Sequence, residues 1–373
     1  MFRFIHTSDL HIGKAFGQFE EELRVPLRQA RIDVVETIAQ LAQQHEASHI
    51  FIAGDIFDTG TPNERAVHQF LNIMRDTEAI TWVLLPGNHD SLKCEVLWQT
   101  LANEKSENVV LAIASEPIEL AQQVLLLPAP CRVRRHGEDT TAWMDRVPIG
   151  DGQIRIGLAH GPIHDFSEGD GAEVISPDRA DTAGLHYLAL GDWHGRIMVN
   201  DRTWYSGTPE PDRFKHDQPG QCLLVTIDGP DATASVTPLE TGKYQWKKAT
   251  CTLLPDDEVE DAVHQVLPEP AAKQTCLLQL TVDGRATLSG HRALESLAAR
   301  ERLDLAFLDL RNADLHTEIG EDDLAEIDLS GSLRLVAEKL QSEVNDDNLD
   351  ASDRKVAELA LRRLYSLSRE AGE

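Results

Sequence analysis

The sequence lacks any apolar run of the roughly 18 residues that a membrane span needs, which excludes a transmembrane protein. Its opening stretch, MFRFIHTSDLHIG, lacks the basic-then-apolar order of a secretory signal, so none is expected. Cysteine is scarce. Cys94, Cys131, Cys222, Cys251 and Cys276 are odd in number and far apart, with no Cys-x-x-Cys. That excludes a disulfide framework and a zinc ribbon, and predicts a reducing, cytoplasmic setting. Positive charge is short as well: 35 basic residues face 63 acidic ones, for a net charge of −28. Only 10 of the bases are lysine, against 25 arginines. Residues 1–250 and 251–373 carry −14 each, so the second portion packs the same charge into half the length. Non-specific nucleic-acid binders usually present a basic surface, because phosphate neutralisation supplies most of their affinity. Charge alone therefore argues against nucleic acid.

What is present is an ordinary globular composition, 41% hydrophobic and 26% charged, over 373 residues, enough for two or three domains. No internal repeat or low-complexity tract appears. The first 230 residues read as an α/β alternation. Strands are predicted at Phe2–Thr7, His49–Ala53 and Ile80–Leu85, and near 108–113, 123–127, 154–159, 186–190, 203–206 and 221–227. Helices are predicted at Leu23–Glu46, from Pro62 to about Glu78, and near Ser91–Asn103. Residues 244–312 run strand, helix (256–266), strand (276–282), helix (288–300), strand (303–310), a small α+β unit. Residues 321–330 are acidic and read as a linker. Two helices then close the chain, with apolar stripes of Leu333, Val336, Leu340 and Val344, and of Val356, Leu359, Ala360, Leu364 and Leu367.

Five short blocks stand where strands should end: Asp9-Leu-His11, Gly54-Asp55-Ile-Phe-Asp58, Gly87-Asn88-His89-Asp90, Ala159-His160-Gly161 and Gly191-Asp192-Trp-His194-Gly195. In open α/β sheets, sites gather beyond the carboxyl ends of strands. Residues two apart on an extended chain share a side, so Asp9 and His11 can serve one ion, as can Asp192 and His194. Carboxylate, imidazole and amide oxygen without thiolate suit manganese, magnesium, iron or zinc, with manganese favoured. The seven candidate ligands Asp9, His11, Asp55, Asn88, His160, Asp192 and His194 are too many for one ion and about right for two. Two ions roughly 3.5–4 Å apart clamp the attacking and leaving oxygens of a phosphoryl displacement. The predicted reaction is hydrolysis of a phosphate ester.

These blocks resemble the calcineurin-like metallophosphoesterases, and within them the SbcD-type nuclease subunits of bacterial DNA repair and their YhaO-like relatives. HTSDLHIG at 6–13, AGDIFDTGTP at 53–62, PGNHDS at 86–91 and WYSGTPEP at 204–211 carry the likeness. It implies a layered-sheet nuclease domain over 1–230, a capping domain over 231–320, and a linker with a helical ATPase-docking segment over 321–373. Residue by residue, it implies Asp9, His11, Asp55 and His194 at a first metal. Asp55 would bridge, and Asn88, His160 and residue 192 would complete a second. His89 is similar to the proton donor to the leaving oxygen, with Asp58 and Asp90 orienting groups around it. The family pattern has histidine where this chain has Asp192. Either Asp192 ligates through oxygen, lowering the cluster's net charge by one, or it turns away and the second site binds weakly.

Arg132, Arg134 and Arg135 share one loop, and Lys14, Arg196, Arg213 and Lys215 adjoin the blocks. They read either as phosphate contacts for DNA or as solvated loop charges. The resemblance implies DNA and an SbcC- or YhaN-like ATPase as partners, with a homodimer as one candidate assembly. Two other readings compete with the DNA nuclease: a phosphodiesterase on a small nucleotide or other ester, and a DNA-end-binding subunit with an impaired metal site.

Overall fold

In β1 (Phe2–Thr7), Phe2 and Phe4 leave one face of the strand and Ile5 the other, as the two-residue repeat of extended backbone requires. The same alternation in β2 (His49–Ile52) separates Phe51 from Ile50 and Ile52. Strands apolar on both faces must be covered twice, and the fold does so with two stacked sheets and outer layers. The computed structural model describes residues 1–134, 138–163, 174–318, 332–346 and 348–370, in two compact units, Met1–Gln245 and Trp246–Glu373.

In the first unit, β1 and β2 continue with β3 (Thr81–Leu84) and β4 (Val109–Leu111) as a parallel set. On its other side β1 pairs antiparallel with β11 (Gln221–Ile227), which pairs with the edge strand β12 (Ser235–Glu240). The second sheet has the order β5 (Ile118–Ala121), β6 (Val124–Ala129), β7 (Ile154–His160), β8 (Tyr187–Gly191), β10 (Thr203–Tyr205), β9 (Ile197–Asn200), with β6, β7, β8 and β10 parallel. Phe4, Phe51, Val83 and Val225 of one sheet meet Leu126, Ile156, Leu158 and Tyr187 of the other in a common core. Helices α1 (Glu21–Gln44), α2 (Glu64–Arg75) and α3 (Glu95–Glu104) cover the first sheet through Val34, Ile38, Phe70, Leu71, Leu97 and Leu101. Met144, Ala180 of α4 (Arg179–Thr182) and Ala183 cover the second sheet over Leu127, Leu188 and Leu190.

Several sequence expectations shift. Pro62 does not open α2; Asn63 does, its side chain accepting the Arg65 N–H at 2.8 Å and satisfying a donor the helix leaves open. Strands β5, β9 and β12 were not expected. All three lie at or next to sheet edges with half-exposed, partly polar sequences, and β12 carries Pro238 where an edge tolerates it.

The second unit holds a sheet of β13 (Gln245–Leu253), β14 (Cys276–Ala286) and β15 (Phe307–Arg311), with β16 (Leu315–Thr317) beside β14. Leu278, Leu280 and Val282 pack under α5 (Val259–His264) and α6 (Leu288–Asp304). Because α6 runs to Asp304, the following strand starts at Phe307 instead of 303. The closing helices α7 (Ser332–Val344) and α8 (Ala351–Glu370) rest on this unit through Ala337, Leu361 and Tyr365 against Leu288. Glu358 accepts the backbone N–H and hydroxyl of Thr317 at 3.0 and 2.8 Å. Leu333, Val336, Val356, Leu359 and Leu367, five members of the predicted stripes, stay exposed. The acidic stretch 321–330 lies outside the described residues. All five cysteines are free thiols, and among the described residues no helix is long and apolar enough to cross a membrane.

His49 sits between the rings of Phe2 and Phe51, and burial lowers its pKa to about 4. A histidine whose folded pKa lies below its unfolded value contributes full stability above about pH 6.5, and this is lost as pH falls toward 4. His49→Phe should therefore flatten the stability profile over pH 7 to 4 by up to about 3 kcal/mol, read from urea unfolding. Parallel profiles for wild type and variant would show that His49 is not the acid-sensitive group.

Candidate active site

Five parallel strands bring the blocks together. β1, β2 and β3 of one sheet and β7 and β8 of the other end on the same side of the stack, and their following loops bind one another. Asp9 N–H donates to Gly54 O at 3.1 Å and His11 N–H to Asp55 O at 3.0 Å. Asp192 N–H donates to the Asp9 carboxylate at 3.1 Å, and His89 N–H to Asp55 Oδ1 at 2.9 Å. The backbone is strained here: Asp9, His11, Asp55 and Asp192 have φ of +55°, +43°, +53° and +102°. Such conformations cost of order 1–3 kcal/mol each in non-glycine residues and persist where surrounding structure imposes them. Glycine is required beside them. A Cβ on Gly54, itself at φ +86°, would stand 2.3 Å from His160 Nδ1, and one on Gly87 would stand 2.1 Å from Asp55 Oδ1.

All seven candidate ligands converge in two groups that share Asp55. On one side His11 Nε2 lies 3.9 Å from Asp9 Oδ1, 3.7 Å from Asp55 Oδ2 and 3.2 Å from His194 Nε2. On the other, His160 Nε2 lies 3.5 Å from Asp55 Oδ1 and 3.8 Å from Asp192 Oδ1, while Asn88 Nδ2 donates to Asp192 Oδ1 at 3.1 Å. Asp55 thus turns one oxygen toward each group. His160 Nδ1 pairs with Ala53 O at 2.8 Å. A carbonyl only accepts, so Nδ1 carries a proton and Nε2 is left as the nitrogen that would face a cation. His160 Nε2 and Asn88 Oδ1 are buried without hydrogen-bond partners. This set of oxygen and imidazole donors, with two buried atoms unsatisfied, fits divalent cations.

The field is that of a cation cradle. Burial alone would lower His160, but Asp55, Asp9 and Asp192 together raise its pKa to about 9. Burial, followed by Asp55, raises Asp90 to about 7. Burial also raises Asp192, opposed by His160. For Asp9 the nearby His194, His160 and His11 outweigh burial and hold the carboxyl low.

The remaining predicted residues surround these groups. His89, with His11 and Asp58, forms a third close cluster, and its Nδ1 pairs with the Asp58 carbonyl at 2.8 Å. The Asp58 carboxylate instead reaches His11 Nδ1 at 3.3 Å and Lys14 at 3.6 Å. Asp90 is fully buried and accepts the N–H groups of Gly87, Ile56 and Phe57 at 2.7–3.1 Å, tying two of the loops together. Arg134 is exposed and lines a cleft of about 320 Å³ with Asn88, His89, His160 and Asp192. Arg132 is exposed, and Arg135 lies outside the described residues. Lys14 is held by Asp212 at 2.9 Å, and Arg196 by Gln221 at 3.3 Å.

Two residues that local patterns did not reveal support the site. Asp212 is buried, with its carboxylate 3.4 Å from His194 Nδ1, 2.9 Å from Lys14, 3.5 Å from Arg31 and 2.8 Å from Arg213. Burial disfavours its charge, yet His194, Arg31 and Arg213 hold it far below the usual carboxylate range. Arg31, fully buried on α1, donates to the carbonyls of Leu10 and Glu210. The adjoining signature at 204–211 was the only nearby signal. Asp212→Asn leaves Arg31 and Lys14 without their common anion and should lower unfolding free energy by about 3 kcal/mol. Urea unfolding in chelator tests this, and a loss below about 0.5 kcal/mol would remove Asp212 from the support network.

The chain matches the pattern of the calcineurin-like phosphoesterases over residues 2–196, just over half its length. It is 23% identical over 378 residues to the DNA double-strand break repair protein Mre11 of Methanosarcina acetivorans, covering 93% of this chain and 56% of that protein. It is 37% identical over 93 residues to SbcD of the SbcCD nuclease of Escherichia coli K12, covering 24% of this chain and 22% of that protein. The metallophosphoesterase YhaO of Bacillus subtilis is 24% identical over 209 residues, covering 53% and 50%. The chain therefore spans about half or less of the length of these relatives. The site has the donor set of a metal centre, and the chain belongs to the calcineurin-like phosphoesterase family.

Proposed function

We propose that this chain is the nuclease subunit of a DNA-repair complex, hydrolysing DNA phosphodiester bonds with two divalent ions beside an SbcC- or YhaN-like ATPase. The observation that carries the reading is Asp55, whose two oxygens face two separate groups of ligand-type side chains. The relatives bearing the names Mre11 and SbcD support DNA as the substrate.

In this reading Asp9, His11, Asp55 and His194 would hold one ion, and Asp55, Asn88, His160 and Asp192 the other, with manganese the favoured metal. When bound, the ions supply positive charge where the transferring phosphoryl group gathers negative charge. The protein's own groups do the rest. Asp58 and Asp212 orient His11 and His194 from behind, an arrangement that raises ligand basicity. His89 Nδ1–H is fixed by the Asp58 carbonyl, so in the imidazolium form Nε2–H is the group that delivers a proton to the leaving oxygen, and His89 is left neutral. Arg134 faces the cleft and takes a flanking phosphate, and the exposed Arg132 is a second candidate phosphate contact. The exposed Leu333, Val336, Val356, Leu359 and Leu367 offer an apolar surface for the ATPase.

Metal counting beside cleavage of linear DNA tests the centre. Chelation should abolish cleavage and manganese restore it, and Asp55→Asn should deplete both ions together. Asp192→Ala should lose one ion and tenfold or more in rate, whereas Asp192→His should keep two and favour softer metals. Full occupancy and rate in Asp55→Asn would sink the two-ion reading. Cleavage of small diesters but not of DNA would point to a small-ester phosphodiesterase.

His89→Ala should keep its metals while slowing hydrolysis by roughly 10²–10⁴, the usual worth of a general acid. The loss should shrink on substrates with good leaving groups, which need little protonation. Equal losses on good and poor leaving groups would rule out the acid role.

A further inference from the structure

One buried histidine of the first unit lies outside both groups of candidate ligands. Phe2, Phe4 and His6 share the face of β1 that meets the second sheet. His6 is fully buried there. Its Nε2 lies 3.2 Å from the Leu190 carbonyl and its Nδ1 2.9 Å from the Tyr187 hydroxyl, both on β8 of the other sheet. A carbonyl only accepts, so Nε2 carries the proton. Burial lowers the pKa of this ring to about 3, so near neutral pH Nδ1 is bare and accepts from Tyr187. One ring thus makes two hydrogen bonds of opposite sense across the gap between the sheets.

Such bonds constrain what the apolar core does not. Hydrophobic contact is non-directional and holds the sheets together, whereas a hydrogen bond prefers one distance and one angle. Two of them from one ring fix where β1 sits along β8. That offset leads directly to the candidate centre, because Asp9 stands three residues after His6 and Asp192 two residues after Leu190. Each group of candidate ligands also draws on both sheets. Asp9, His11 and Asp55 follow strands of the first sheet and meet His194 from the second; Asp55 and Asn88 meet His160 and Asp192. Clearance is small where the strands end: a Cβ on Gly191 would stand 2.0 Å from Ala53 O and 2.8 Å from Ser8 Cβ. The links nearest the centre, such as Asp192 N–H to the Asp9 carboxylate and His160 Nδ1 to Ala53 O, involve the candidate ligands themselves. His6 supplies a link one step behind them, inside the core.

We propose that His6 is a positioning residue for the metal centre: by holding Tyr187 and Leu190 it sets the offset between the sheets that brings Asp9 and His11 within reach of Asp192 and His194. This role rests on the two-ion reading of the centre. A buried polar bridge of this kind specifies one arrangement of a core that apolar residues alone would leave less defined.

Manganese titration calorimetry on the full chain, beside urea unfolding in chelator, tests the role. His6→Leu combined with Tyr187→Phe replaces both side-chain partners by apolar groups of similar shape, an exchange that can be nearly neutral for stability. The double variant should unfold close to the wild-type urea midpoint yet bind manganese roughly tenfold or more weakly, the usual loss when support behind metal ligands is removed. His6→Gln keeps a donor for Leu190 O and an acceptor for the Tyr187 hydroxyl, and should recover most of that affinity. Tyr187→Phe alone, which loses one oxygen, should fall between; if the double variant does not fold, the contrast between Tyr187→Phe and His6→Gln decides. Two ions on wild type with unchanged affinity in the double variant, or in Tyr187→Phe where that variant decides, would overturn the role of His6 alone. So would His6→Gln binding as weakly as the apolar variants, which would make His6 a packing residue. Fewer than two ions on wild type would overturn the two-ion reading, and this role with it.

Discussion

Everything in the first unit depends on two sheets ending together. A single parallel sheet can deliver residues from adjacent strands along one line; two stacked sheets deliver them from opposite sides of a gap. Asp55 follows β2 of one sheet, and His160 closes β7 of the other, yet they stand 3.5 Å apart. The aromatic and branched core between the sheets, Phe4, Phe51, Ile156 and Tyr187 among others, sets that gap. Packing at interior density has few ways to relax, so the core fixes the width of the site as well as the stability of the unit.

The site itself opposes stability. Four of its residues hold left-handed backbone, several carboxylates share a small volume, and two buried acceptors lack partners. Each of these is unfavourable alone, and they are clustered where chemistry requires it. The surrounding structure offsets them with charge placed behind the candidate ligands. Asp90 pins three loop amides, and Asp212 gathers Lys14, Arg31 and Arg213 while backing His194. The carboxylates of Asp55, Asp9 and Asp192 press on His160 strongly enough to raise it despite full burial.

The parts of this arrangement legible in the sequence were the local ones. Asp9-x-His11 or Gly-Asn88-His89-Asp90 is recognisable because strand ends, glycines and short ligands lie within a few residues of each other. Asp212 and Arg31 were invisible for the opposite reason. Their partners come from distant segments, and a lone arginine on an amphipathic helix reads as solvent-facing until the carbonyls of Leu10 and Glu210 are seen around it. The edge strands escaped because half-exposed polar strands lack the apolar alternation that marks buried ones. On the closing helices, periodicity identified apolar residues but not their cover. Ala337, Leu361 and Tyr365 were taken inward while Leu333, Val336, Val356, Leu359 and Leu367 were left outside.

The charge distribution follows the same logic of local over global. A net charge of −28 suggests a chain that repels anions everywhere. Fields inside a cleft are set by groups within a few ångströms, because water and salt screen the rest over about 8–10 Å. Arg134, lining the cleft of the candidate site, is therefore governed by its immediate neighbours, not by the total. The same reasoning limits what the acidic exterior does. It opposes the approach of anionic ligands at low salt and loses that influence as ionic strength rises, so local arginines gain relative weight where salt is abundant.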